Sequence, residues 1–148
     1  MATVLTGRHP LEHGATDFNR RLDPSLPTLA SILRSEGYTN RAFISHVLLT
    51  PQFGLDKGFD SFDHSVLDVG DPHLVSTAKM LTDRAVQSLE TLEEPFFLWV
   101  HYFDPHTKYL SHPDWNFGDG RKDRYDEEIA HTDLHIGRLL EKLREAGL

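Results

Sequence analysis

Cysteine is absent from the 148 residues. Within them, that rules out a disulfide framework, a thiolate metal site and a cysteine nucleophile. No apolar run approaches the length needed to cross a bilayer, and no stretch is low in complexity or internally repeated. Positive charge is scarce: 15 Lys and Arg against 23 Asp and Glu give a net charge of −8. That balance argues against a nucleic-acid or anionic-membrane surface. The opening MATVLTGRHP has neither the basic start nor the long apolar region of a signal peptide. The compartment is therefore unknown, with the cytoplasm as default expectation. What is present is ordinary for a globular protein, with 39% hydrophobic and 26% charged residues. The length fits one domain or part of one.

The most informative stretch is PFFLWVHYFDPHTKY, from Pro95 to Tyr109. Phe96 to His101 run almost wholly apolar and aromatic, without Gly or Pro, the pattern of a strand buried on both faces. Asp104-Pro105-His106 follow directly, so a carboxylate and an imidazole are delivered at the strand's carboxyl end. In open α/β sheets that edge is where ligands bind. The competing reading is a core strand followed by a Pro turn with solvated polar residues.

The remaining elements are read in chain order. MATVLTG predicts a short apolar helix stopped by Gly7, and GRHPLEHG predicts a loop carrying Arg8, His9 and His13. Pro10 lies between the two histidines, which makes them a poor helical metal pair. DPSLPTLASILRSEGY predicts a helix with an apolar stripe of Leu29, Ile32 and Leu33, closed by Gly37. Thr39 to Ser45 predicts a strand with Ala42, Phe43 and Ile44 at its buried centre. LLTPQFGLDKGFDSFDH reads as an irregular loop, and its Asp56, Asp60 and Asp63 lack calcium-loop spacing and read as solvated acids. His73 to Leu92 predicts a long helix from the recurrence of Leu74, Ala78, Leu81, Ala85 and Leu89. Strand, long crossover and strand is the ordering of a parallel βαβ unit. A last helix, about Tyr125 to Ala146, places Ile129, Ile136, Leu140 and Leu143 on one face. His131 and His135 have metal-pair spacing but point away from that face, so they read as solvated histidines. Two strands do not make an independently stable sheet, and buried strands need neighbours on both sides. The chain therefore reads as the middle of a larger α/β domain.

Four stretches in order resemble the sulfatase family of the alkaline phosphatase-like superfamily. Leu5-Thr6-Gly7-Arg8-His9-Pro10 with His13-Gly14 is similar to the segment after the nucleophile in the sulfatase signature. PTLASILRSEGYTNRAF is similar to the helix and strand that follow it. FFLWVHYFDPHTKY resembles the family's strand ending in Pro-His, and YDEEIAHTDLHIGRLLEKLRE its helix before the closing metal motif. The resemblance implies part of an α/β/α sandwich with a mostly parallel sheet, spanning residues 1–148 as a partial catalytic domain. It implies that His106 contacts the sulfate of a small-molecule sulfate ester and assists the leaving group. It also makes Arg8 and His13 candidate substrate-binding residues that would help order the nucleophile helix or its surroundings, the preferred reading of His13 being a structural loop histidine.

The departures from the family pattern are equally specific. Met1 stands where the signature carries Arg, so the nucleophile position and the first metal-binding aspartates would lie upstream, and the second pair downstream. These residues thus hold no metal ligands; calcium and formylglycine are expected in the complete family member. The family's Gly-Lys-Trp-His segment is replaced by Phe43-Ile44-Ser45-His46-Val47, without the Lys, leaving His46 as a substitute. Three readings stay open: a sulfuric ester hydrolase, a phosphoester or phosphonate hydrolase of the same superfamily, and a non-catalytic fragment or interaction module. Exposed sheet edges add an expectation of self-association.

Overall fold

The protein is described here by a computed structural model covering residues 1–69 and 75–148. Its centre is strand β1 (Thr39–Ile44), flanked by β2 (Ser61–Asp63) and β3 (Phe96–His101) in the order β2-β1-β3. Both pairings are parallel, and Thr39 to Ile44 stand opposite Phe96 to His101 in register. The expected parallel relation of the two long strands is therefore present. β2, however, lies in the stretch read as irregular loop. Three residues are too few for an alternating pattern to emerge, and β2 forms because β1 offers it a parallel partner. The same stretch also contains 3₁₀ turns at Val47–Leu49 and Pro51–Phe53.

Helices cover both faces of the sheet. Ahead of β1 come α1 (Ala2–Thr6), α2 (Pro10–His13) and α3 (Leu29–Ser35). After β2 comes α4 (Ala78–Ser88), extended by a 3₁₀ turn to Thr91, and after β3 comes α5 (Arg121–Ala146). Side chains alternate across the pleat. Ala42 and Ile44 pack with Leu5, Leu22, Ala30, Leu49, Leu55 and Phe59, joined by Phe97 and Trp99. Phe43 packs the other way, against Val66, Leu81, Ala85 and Leu139, joined by Leu98 and Val100. This is an α/β/α sandwich with a separate apolar core on each side of one sheet.

Several expectations need correction. The GRHPLEHG segment is not all loop: Pro10 occupies the first helical position of α2, where its missing N–H costs nothing. His9 caps that turn, and Gly14 closes it in the left-handed region. On α3 the buried residue is Ala30, while Leu29 and Ile32 are exposed. A small residue is needed there because α3 lies against the 57–58 backbone, where a β-carbon on Gly58 would meet the Ser31 amide nitrogen at 2.2 Å. The helix expected from His73 starts at Ala78; His73 and Leu74 lie outside the described residues. β3 is half-buried at every position rather than buried on both faces, because among the described residues it pairs on one side only. α5 begins at Arg121, and its inward face is polar: Glu127, Glu128, Thr132 and His135 are buried together with Leu139. Ile129 and Leu140, expected inside, are exposed.

Candidate active site

The two long parallel strands end side by side, and each delivers a histidine at its carboxyl end. His101 closes β3, and His46 follows β1 after Ser45, whose hydroxyl donates to the His101 carbonyl at 2.6 Å. Phe103 and His106 continue the chain beyond β3. The ring of Phe103 stacks on His106 at 4.2 Å between centroids and lies 4.8 Å from His46. His46 and His101 are themselves 6.3 Å apart. Two imidazoles, His46 and His106, thus meet one phenyl ring at the carboxyl edge of the sheet, and His101 lies beside His46. Burial holds His101 below the usual imidazole range, and the neighbouring His46 and the Met1 amino group add to that.

His106 has a defined tautomer. Its Nδ1 lies 2.9 Å from the Thr107 carbonyl oxygen, which can only accept, so Nδ1 carries the hydrogen. His13 is held differently. The Ala15 amide donates to its Nδ1 at 3.2 Å, so Nε2 carries hydrogen toward Thr3 Oγ1 at 3.1 Å. Only 2% exposed, with both ring nitrogens engaged, it braces α1 from α2. Arg8 is exposed in the turn between these helices.

The acids near the edge already have work. Asp104 Oδ2 accepts from Ser76 Oγ and from the amides of Thr77 and Ala78, closing the N-terminus of α4. Asp60 and Asp63, expected to be solvated, are engaged as well. Asp60 accepts from the Asn40 amide and pairs with Arg34 at 3.0 Å. Asp63 accepts from the Ser65 amide and pairs with Arg84. Among the described residues no cluster of three or more His, Cys, Asp or Glu side chains is arranged to hold a metal ion. The described carboxylates therefore do not fit a calcium site, and the chain has no cysteine to serve as a formylglycine precursor.

Glu127 and Glu128 on α5 clamp the segment that follows His106. Glu128 accepts from the Leu110 amide at 2.9 Å, and Glu127 from the amides of His112 and Phe117 and from Ser111 Oγ. The amide bonds from His112 and Phe117 hold Glu127 below the usual range, whereas burial raises Glu128. His112, delivered by this segment, stacks on His131 at 4.0 Å, and His131 meets His135 edge-on at 4.6 Å. His131 and His135 are thus not the solvated pair expected: His135 is 5% exposed and His112 6%. Burial lowers all three, His135 to about 4. A hint was present in the sequence: Glu127, Glu128, His131 and His135 share a helical face, but that face is polar and no apolar stripe marks it.

The parallel sheet, with helices on both faces and histidines at its carboxyl edge, defines an open α/β fold. A protein from Vibrio parahaemolyticus described as belonging to the alkaline phosphatase superfamily superposes with a TM-score of 0.67 at 20% identity, over 97% of this chain and 38% of its own. The phosphonate monoester hydrolase of Agrobacterium radiobacter gives 0.72 at 15% identity, over 99% of this chain and 49% of its own. Ps i-CgsB, solved in complex with k-i-k-neocarrahexaose, gives 0.74 at 19% identity, over 99% and 44%. No curated protein matches the sequence significantly. The sulfatase family model matches residues 1–148, and the chain belongs to the sulfatase family. It spans less than half the length of these solved structures.

Proposed function

We propose that these residues form the leaving-group side of a sulfuric ester hydrolase site, acting on a small-molecule sulfate ester, with His106 as the proton donor. The observation that carries this reading is the cluster of His46, Phe103 and His106 at the carboxyl ends of adjacent parallel strands. As the sulfur–oxygen bond breaks, the departing oxygen takes a proton from Nε2 of a protonated His106, while Nδ1 stays bonded to the Thr107 carbonyl. Phe103 stacks on the His106 ring and sets its plane, and His46 packs against the same phenyl. His13 fixes α1 through Thr3, and Arg8 borders the same turn. Calcium and formylglycine belong to the complete family member; no step here runs through them. In a complete enzyme containing this segment, His106→Ala should lower kcat for an aryl sulfate by about 10²–10⁴-fold. An unchanged rate would remove His106 from the site.

A phosphoester or phosphonate hydrolase is the second reading. It is favoured by the fit to the phosphonate monoester hydrolase and by the absence of Lys from Phe43-Ile44-Ser45-His46-Val47. The ratio of kcat/KM for matched aryl sulfate and aryl phosphonate esters decides between the two.

A further inference from the structure

His106 is exposed, as are Thr107 and Lys108 after it, so no core packing fixes the turn that carries the proton donor. Two buried acids bracket that turn instead. Before it, Asp104 is 8% exposed and accepts from Ser76 Oγ and the Thr77 amide at 3.1 Å and from the Ala78 amide at 3.2 Å, which ties it to α4. After it, Glu128 of α5 is 1% exposed and accepts from the Leu110 amide at 2.9 Å. The amide and the ring of His106 lie near enough to Glu128 to favour its charge, whereas the charge of Asp104 opposes it. The two neighbouring glutamates of α5 are not equivalent. Glu127 accepts from Ser111, His112 and Phe117, which accounts for its burial. Glu128 has one clear bond, and its Oε2 meets no hydrogen-bond partner among the described residues. A buried carboxylate satisfied so sparsely costs the fold stability. What it does accomplish is to fasten the far end of an otherwise exposed turn whose near end carries His106.

We propose that Glu128 is a positioning residue for the reaction, holding the His106 ring in the geometry that proton donation requires. The proposal rests on the hydrolase reading above and adds to it a residue that acts only through another. With the Leu110 amide fixed to α5 and Asp104 fixed to α4, the residues between them have little freedom. The ring then stacks on Phe103 at 4.2 Å with Nδ1 at 2.9 Å from the Thr107 carbonyl oxygen, leaving Nε2 for the departing oxygen. The requirement on residue 128 is an acceptor of the right reach. Gln keeps the reach and one acceptor oxygen, Asp keeps the charge but is one methylene short, and Leu keeps only the bulk.

The test uses the full chain with ¹⁵N-labelled histidine at about pH 9, where imidazoles are neutral. Long-range proton–nitrogen spectra then separate the two neutral tautomers. Wild type and Glu128→Gln should both show His106 as the Nδ1–H form. Glu128→Leu and Glu128→Asp should show a mixture of tautomers, with amide exchange at Leu110 faster by about tenfold or more. Should Glu128→Leu not fold, Glu128→Asp carries the same test. In a complete enzyme containing this segment, the Leu and Asp variants should lower kcat for an aryl sulfate by about 10–10²-fold with KM little changed, and Gln should restore most of it. A wild-type His106 tautomer in the Asp and Leu variants, or a Gln variant as impaired as Leu, overturns the proposal. The hydrolase reading fails separately, through absence of turnover in the complete wild-type enzyme, because the tautomer readout needs no chemistry.

Discussion

Asn40 shows how much one buried amide can organise. It is fully buried in β1; its Nδ2 donates to the Ala30 carbonyl at 2.6 Å and to that of Gly58 at 2.8 Å, joining α3 and the 57–58 turn to the sheet. Asn40→Ala strands both carbonyls, and urea unfolding should show a loss of about 1–3 kcal/mol. The histidines make stability depend on pH. His112, His131 and His135 are held below the ordinary imidazole value of 6.5, His135 at about 4. The unfolded chain therefore binds protons that the folded chain refuses. Their contribution is complete above 6.5 and is lost progressively as pH falls from 6.5 toward 4. Glu128 works in the opposite sense, since its raised value favours the folded state at acid pH and softens the decline. Unfolding midpoints measured from pH 7.5 to 4.5 should fall, and more steeply than in a His112→Phe/His131→Phe variant. A flat profile, or one unchanged by the substitutions, would contradict the burial of these rings.

At the scale of elements, α4 takes its N-terminal bonds from Asp104, a residue on the far side of β3. Asp104→Ala should cost about 0.5–2 kcal/mol and speed amide exchange at Thr77 and Ala78 before β1 is affected. Gly58 sits at φ +91° against the α3 backbone, so Gly58→Ala should push α3 off the sheet and lower the unfolding midpoint by more than Asp104→Ala does. β1, β3, α4 and the parallel relation of the two strands were legible because their buried residues are apolar and recur at strand or helix spacing. The inward face of α5 was not, because it is built from Glu127, Glu128, Thr132 and His135. Carboxylates buried to hold another segment's amides have the same sequence signature as solvated ones. β2 was hidden for a different reason: its pairing is supplied by β1 and not by its own three residues. His106 and His46 were candidates from the sequence alone, whereas His101 gains significance only once two strand ends are seen side by side.

For the whole molecule, the chemistry and the surface lead to different expectations. The 148 residues contain no nucleophile-bearing cysteine and, among those described, no carboxylate cluster for a metal. The purified chain should therefore turn over neither an aryl sulfate nor an aryl phosphate, with or without added calcium; turnover abolished by His106→Ala would overturn that. Among the described residues β2 and β3 each pair on one side only, and Leu11, Phe18 and Val4 are 83%, 73% and 68% exposed. Open strand edges and exposed apolar side chains each favour pairing with a second copy, so sedimentation should show mass rising with concentration. No helix among the described residues is long and apolar enough to cross a membrane. The sheet has a further consequence for inheritance. Trp99 rests on Phe59 and Phe62, while Leu98 and Val100 rest on the core of Leu81 and Leu139. A change at Trp99 is open to repair from Phe59 but not from Leu81, a single backbone layer away. Variation along β3 should therefore sort into two independent compensation groups, interleaved residue by residue on one strand.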